Sequence, residues 1–259
     1  MAAKTDNSLS QTERTTVGGV QVARLDIEQT ARLMVSLAKE PVPRCHPYYL
    51  TSVNGEVLAR RRFDAGFAQL IDAADLVSAD GQPLVVASRL LARERLPERV
   101  ATTDLYPVVA QMAEAHGLSF YLFGATEEVN SAAYAVTRRM FPRLNIRGRS
   151  HGYLAGDALE TKLAEINALA PDILWLALGV PLEQEFVARY SACLPNVKMI
   201  KTSGGLLDFV AGAKPRAPRW LQKAGFEWAY RVLLEPRRLA TRYLATNPVA
   251  LMMLLTQTR

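Results

Sequence analysis

The sequence is poor in the residues that staple, tag or anchor a chain. It has two cysteines in 259 residues. Cys45 and Cys193 lie far apart with no ligand-like spacing, which excludes a disulfide framework and reads as isolated thiols in a reducing compartment. The three histidines, His46, His116 and His151, are scattered, so no His/Cys metal cage is expected. Long apolar runs are also absent. The longest near the end, "PVALMMLL" (248–255), is far short of the roughly 20 residues a membrane-spanning helix needs. The opening "MAAKTDNSLSQTERTT" has no apolar core and so is no secretory signal. It reads as a disordered leader over residues 1–18. No GxxxxGK[ST] motif occurs, so the glycines form no P-loop. Internal repeats and low-complexity segments are missing too. A cytoplasmic protein with one domain of the larger kind, plus an appendage, is the expectation.

What is present is alternation. Short apolar runs, "YYLTSV" (48–53), "ADLVSA" (74–79), "SFYLFG" (119–124), "LNIRG" (144–148), "DILWLALG" (172–179) and "KMIKTSG" (198–204), are separated by helix-patterned stretches at 56–73, 104–116, 126–141, 157–169 and 182–193. Strands spaced by helices predict an α/β fold: a Rossmann-like, mostly parallel sheet over 19–212 with helices on both faces. From 213 to 259 the pattern is helical throughout, and this part reads as a basic helical appendage whose removal leaves a folded sheet domain.

Ligands of such sheets bind beyond the carboxyl ends of the strands, which directs attention to the residues after each run. Asp80, in "ADLVSADGQPLV", stands where a strand ends. It is a turn or cap residue on one reading and a general base at the rim on the other. Ser52 and Asn54 share a strand face and suit either strand-end polarity or hydrogen bonding to a polyol. In "LALGVPLEQEF" the turn at Gly179 and Pro181 aims Gln184 and Glu185 outward; the Gln184 amide donates and accepts at once, as sugar hydroxyls require. Asp208 follows the Gly204–Gly205 pair in "TSGGLLDFVAG", as a helix cap or as a holder of ribose hydroxyls.

Charge is concentrated in the tail. Lys214, Arg216, Arg219, Lys223, Arg231, Arg237, Arg238, Arg242 and Arg259 face only Glu227 and Glu235. Trp220, Trp228 and Tyr243 are interleaved. A solvated face is the plain reading; a diphosphate clamp or an interfacial helix on anionic lipid is the functional one. No nucleic-acid-binding motif appears, so nucleic acid is not expected as a partner. The apolar end suits burial against lipid or against a second copy in a homo-oligomer.

Taken in order, "TSVNGEVL", "ADLVSADGQPLVVASRL", "PERVATTDL", "YLFGA", "HGYL", "LGVPLEQEF" and the long "SGGLLDFVAGAKPRAPRWLQKAGFEWAYRVLLEPRRLATRY" make the chain resemble the WecG/TagA/CpsF glycosyltransferases of bacterial surface-polysaccharide assembly, over roughly residues 20 to 245. The resemblance implies an inverting, metal-independent transfer from a UDP-sugar (N-acetylmannosamine, glucose or glucuronic acid type) to a polyprenyl-diphosphate-linked saccharide. The enzyme would sit peripherally on the inner face of the cell membrane and need no cofactor. It puts Asp80 in the place of the general base and Ser52, Asn54, Arg99 and Gln184 in the substrate pocket. Gly152, Tyr153 and Asp208 fall near the nucleotide, and Arg216, Arg231, Arg237, Arg238 and Arg242 over the diphosphate. Two departures stand out: Ser52 where the family has threonine, and "RVATTDL", with Thr102 or Thr103 near the place of a glycine.

The residues agree with that chemistry. Inverting transfer needs a base for the acceptor hydroxyl and charge stabilisation for the leaving diphosphate. No D-x-D pair stands at a strand end, and arginines supply the second function by charge-assisted, bidentate hydrogen bonds. The reading from another class is a non-catalytic nucleotide-sugar-binding or scaffold protein of a polysaccharide assembly complex.

Overall fold

A computed structural model describes residues 7–40, 45–218, 221, 227–234 and 236–259. Helix α1 (Asn7–Ser10) leads into an antiparallel hairpin, β1 (Arg14–Val17) and β2 (Val20–Ala23), turned by Gly18 and Gly19 at φ of 58° and 77°. After α2 (Ile27–Lys39) come β3 (Tyr48–Val53), α3 (Gly55–Phe63), α4 (Ala65–Asp72), β4 (Leu76–Ala79), α5 (Gln82–Leu91) and α6 (Thr102–His116). Then follow β5 (Ser119–Gly124), α7 (Glu127–Met140), β6 (Asn145–Ser150), α8 (Gly156–Leu169), β7 (Ile173–Ala177), α9 (Leu182–Tyr190), β8 (Met199–Thr202) and α10 (Leu206–Val210). Two helices close the described chain, α11 (Glu227–Leu234) and α12 (Pro236–Thr256).

Strands β3 to β8 form one six-stranded sheet in the order β4-β3-β8-β7-β5-β6, parallel at every pairing. Alternate side chains enter opposite layers. Tyr49, Val53, Tyr121, Phe123, Leu174, Leu176 and Ile200 meet the hairpin, α3, α4, α8 and α9 on one side. Tyr48, Leu50, Phe120, Leu122, Ile173, Trp175 and Met199 meet α2, α6 and α7 on the other. Both layers are closed, which is why these strands read as continuous apolar runs. All six runs picked out in the sequence are strands. The stretch 56–73 is two helices rather than one, because Asp64 ends α3 and caps α4, its side chain accepting from the Phe67 amide.

The carboxyl edge is drawn tight at β5 and β7. Gly124 has φ of 136°, and a Cβ there would lie 2.1 Å from the Ala177 carbonyl oxygen. Only glycine permits that approach. The chain then turns through Ala125, whose N–H donates to the same carbonyl at 3.1 Å.

Both terminal expectations need correction. Residues 14–17 are no disordered leader: Val17 is fully buried in the core, and the hairpin covers one layer of the sheet. Nor is the far end merely appended. Ala250, Met253 and Leu254 of α12 belong to the same core layer as Leu58 and Val17. The Gly19 amide donates to the Gln257 carbonyl at 2.9 Å, the Gly18 amide to Thr258 Oγ1 at 3.1 Å, and the Arg259 amide to the Thr16 carbonyl at 3.1 Å. Sequence pattern missed this because the apolar residues of 248–255 fall on two faces, with Leu251 and Leu255 exposed. Leu254→Ala is expected to cost about 2–5 kcal/mol in denaturant unfolding. Truncation after Gly212 is expected to leave a sheet domain that unfolds at markedly lower denaturant; an unchanged midpoint would show that α12 does not complete the core.

Candidate active site

Because every strand of the sheet points the same way, all six carboxyl ends open on one cavity of about 1570 Å³. Its wall takes Asn54 after β3, Asp80 after β4, Ala125 after β5, Gly152 and Tyr153 after β6, Leu178 to Val180 after β7 and Ser203 to Gly205 after β8. The N-terminus of α6 also opens here. Its cap residue Ala101 has no side-chain oxygen to give the first amides, and Ala101, Thr102 and Thr103 line the cavity. A helix start of this kind favours negative charge.

Asp80 is placed by its own backbone, whose N–H donates to the Val53 carbonyl at 2.9 Å as though β4 ran one residue further. Thr102 Oγ1 donates to Asp80 Oδ2 at 3.4 Å. Ser52 Oγ lies 3.5 Å from Thr102 Oγ1 and accepts from Lys201 Nζ at 2.8 Å. Lys201 comes from the middle of the sheet, on β8, and is 1% exposed. On this face of the sheet, apolar residues give way towards the carboxyl edge to Ser52, Ser78, Lys201 and Asp80. Burial pulls the Lys201 ammonium down to about 8, while the charges of Asp80 and Glu183 work to keep it protonated.

Asn54 also lines the cavity, yet its Oδ1 is the N-cap of α3, accepting from the Val57 amide at 3.1 Å. Arg99 reaches the cavity wall from the loop before α6. Its NH1 donates to Glu227 Oε2 at 2.8 Å and its NH2 to Asp104 Oδ2 at 3.2 Å. Burial opposes its charge, but Glu227, Asp80 and Asp104 outweigh burial and hold the guanidinium more firmly protonated than in water. Gly152 is where two rims touch, since a Cβ would come within 2.6 Å of Leu178 Cδ2. Beside it the Tyr153 ring is exposed. Asp208, on α10, carries Lys214 at 3.6 Å.

Two expected site residues are placed otherwise. Gln184 is 1% exposed and absent from the cavity wall, its Nε2 donating to Glu183 Oε1 at 3.3 Å. At the start of α9 both Glu183, which is buried, and Glu185, which is exposed, line the cavity, while Gln184 between them faces the core. Arg216 ion-pairs with Asp104 at 2.5 Å and is likewise outside the described wall. Arg242 does line the cavity; its NH1 meets Glu56 Oε2 at 2.8 Å, and its Nε, shielded from solvent, has no acceptor among the described residues. The side chains of Arg231, Arg237 and Arg238, and Trp220 with them, lie outside the described residues.

Sequence reasoning missed Lys201, Glu183 and Glu227. The Glu183 carboxylate accepts from the Ser203 amide at 3.2 Å and the Gly204 amide at 2.8 Å, pinning the β8–α10 loop against the start of α9. A lysine interrupting the apolar run "KMIKTSG" was a visible signal for Lys201. Nothing in the spacing marked Glu183 over Gln184, because helix phase after the turn was unknown. Among the described residues no group of three or more His, Cys, Asp or Glu side chains is arranged to hold a metal ion.

A polar, arginine-bearing cavity across the carboxyl edge of a parallel α/β sheet is where such folds bind their ligands. The chain matches the Glycosyl transferase WecG/TagA/CpsF family over residues 15–259 and belongs to it; it is a glycosyltransferase. It is similar to an N-acetylglucosaminyldiphosphoundecaprenol N-acetyl-beta-D-mannosaminyltransferase of Bacillus subtilis (strain 168), with 29% identity over 73% of this chain and 72% of that one. The protein of the same description from Staphylococcus aureus (strain MRSA252) is 27% identical over 88% of this chain and 89% of its own.

Burial raises the Glu183 carboxyl above its ordinary value, against the two amides, Lys201 and Gln184. A raised folded-state value means that this group favours the folded state most at low pH and that its contribution declines as pH climbs past about 4.5. Glu183→Gln should therefore lose least, relative to the parent, at neutral pH and most near pH 4. Glu183→Ala, which strands two buried amides, should cost about 1–3 kcal/mol at either pH. Unfolding at the two pH values separates these outcomes.

Proposed function

We propose that the protein transfers a sugar from a UDP-sugar to a polyprenyl-diphosphate-linked saccharide in bacterial surface-polysaccharide assembly, with inversion and without a metal. The observation that carries this reading is the convergence, on one cavity, of a carboxylate at a strand end, Asp80, with guanidinium groups from distant parts of the chain, Arg99 and Arg242. Asp80 takes the proton of the acceptor hydroxyl as that oxygen bonds to the anomeric carbon. The bond from the anomeric carbon to the diphosphate breaks on the opposite face, and UDP leaves with the electron pair. Arg242, whose Nε has no acceptor among the described residues, the open N-terminus of α6, and Arg99 stabilise the departing charge. A guanidinium set does this without a metal, and a chelator is expected to change turnover little.

The activity for which the two relatives are named favours N-acetylmannosamine among the three donor types, and N-acetylglucosaminyl-diphosphoundecaprenol as acceptor. An acceptor of that kind is held in a bilayer. No helix among the described residues is long and apolar enough to cross a membrane. Leu233 and Leu234 on α11 and Leu244 and Leu251 on α12 are exposed, and these suit a helical face that rests on the cytoplasmic leaflet. The exposed residues equally suit a second copy of the chain, so sedimentation with and without vesicles belongs to the test.

A radiolabel transfer assay with UDP-N-acetylmannosamine, UDP-glucose and UDP-glucuronic acid on N-acetylglucosaminyl-diphosphoundecaprenol tests the reading, and no transfer from any of them refutes it. Asp80→Asn should lower turnover about 10² to 10⁴-fold while UDP still binds as in the parent; near-normal turnover removes Asp80 from its role. Glu227→Gln, which releases Arg99 from a competing carboxylate, should tighten UDP binding measured by calorimetry, whereas weaker binding would show that Glu227 serves the ligand and not the resting state.

A further inference from the structure

The buried lysine of β8 has no part in the proposed chemistry, yet its hydrogen bonds point at Asp80. Lys201 Nζ can only donate. It donates to the Thr202 carbonyl at 3.0 Å and to Ser52 Oγ at 2.8 Å. Thr102 Oγ1 gives its hydrogen to the Asp80 carboxylate at 3.4 Å. The remaining contact, Ser52 Oγ to Thr102 Oγ1 at 3.5 Å, then has one direction available. Ser52 has accepted from the ammonium and Thr102 has spent its proton, so Ser52 donates. Ammonium, hydroxyl, hydroxyl and carboxylate form a chain in which every hydrogen runs towards Asp80.

We propose that Lys201 is a positioning residue for the transfer reaction: through Ser52 and Thr102 it orients the Asp80 carboxylate and favours its ionised, proton-accepting form. This rests on the reading of Asp80 as the base. It also gives the Ser52 hydroxyl a second task besides holding a sugar, one that the extra methyl of threonine would leave intact.

A buried cation is costly unless paired, and the groups that face this one identify its work. Asp80, beyond β4, and Glu183, on α9, are the charges that hold it protonated, and Arg99 in turn faces Asp80 from the loop before α6. Glu183 already has two backbone amides and Gln184. Asp80 faces the cavity, and an opposite charge beside a carboxylate lowers its affinity for a proton by about 1–3 pH units.

The test is a pH–rate profile of the intact enzyme, with UDP-N-acetylmannosamine as donor and N-acetylglucosaminyl-diphosphoundecaprenol as acceptor. In Lys201→Met the acid limb of kcat should move up by about one unit or more, which is about a tenfold loss on that limb. KM for both substrates and the affinity for UDP should stay near the parent values. Ser52→Ala, which cuts the chain without removing a charge from the core, should move the limb in the same direction, and Ser52→Thr should return it. The double variant should lose less than the sum of the two singles, as members of one network do. A limb that stays in place in both Lys201→Met and Ser52→Ala overturns the proposal, even if kcat falls, since a structural role alone gives that result. Asp80→Asn in the same assay keeps the two readings apart. If it is inactive while the limbs do not move, only the role of Lys201 fails; if it remains active, the base assignment fails and takes this proposal with it. Should Lys201→Met not fold, the pair Ser52→Ala and Ser52→Thr decides alone.

Discussion

The constraint on which the site depends is that six strands run in one direction. A parallel sheet buried on both faces leaves its carboxyl edge as the place where backbone direction, chain reversals and polar side chains coincide. Asn54, Asp80, Gly152 and Ser203 are separated by long stretches of chain and come to one wall for that reason alone. The close approach of β5 and β7 at Gly124 narrows the edge, and the rims at Gly152 and Leu178 meet beside it.

Around this edge several cations are already paired with the protein's own carboxylates. Arg99 carries Glu227 and Asp104, Arg242 carries Glu56, Arg216 carries Asp104 and Lys214 carries Asp208. Four of these pairs join the segment after Gly212 to the sheet domain. The pairing serves two ends at once: it holds the helices in place over the cavity, and it keeps guanidinium groups oriented and partly dehydrated where the proposed reaction would bring a diphosphate. In that proposal a diphosphate offers more charge than a carboxylate in the same bidentate geometry, so exchange of partners at Arg99 or Arg242 would favour the ligand.

Much of this was legible in the residues. All six strands of the sheet follow from apolar runs bounded by turn residues, and the position of Asp80 follows from a strand end. The hairpin at 14–23 was hidden because its strands are four residues each and sit in a polar stretch. The inward turn of Gln184 was hidden because one residue of phase at the start of α9 decides that Glu183 and Glu185 line the cavity and Gln184 does not. The ion pairs were hidden for a different reason: Arg99 and Glu227 lie 128 positions apart, and no periodicity relates them. The family motifs led to Asp80, Asn54 and Arg99; the lysine behind Asp80 emerges only when three strands and a helix start are laid side by side.

The union of the hairpin with residues 257–259 has a consequence for biosynthesis. Gly18 and Thr258 bond although 240 positions separate them, and Leu254 lies against the turn. The Leu254 side of the hairpin is therefore covered only once α12 has been made. Joining partners so far apart carries a high loop-closure cost, so this seam is expected to close late in folding, after the contacts within the sheet.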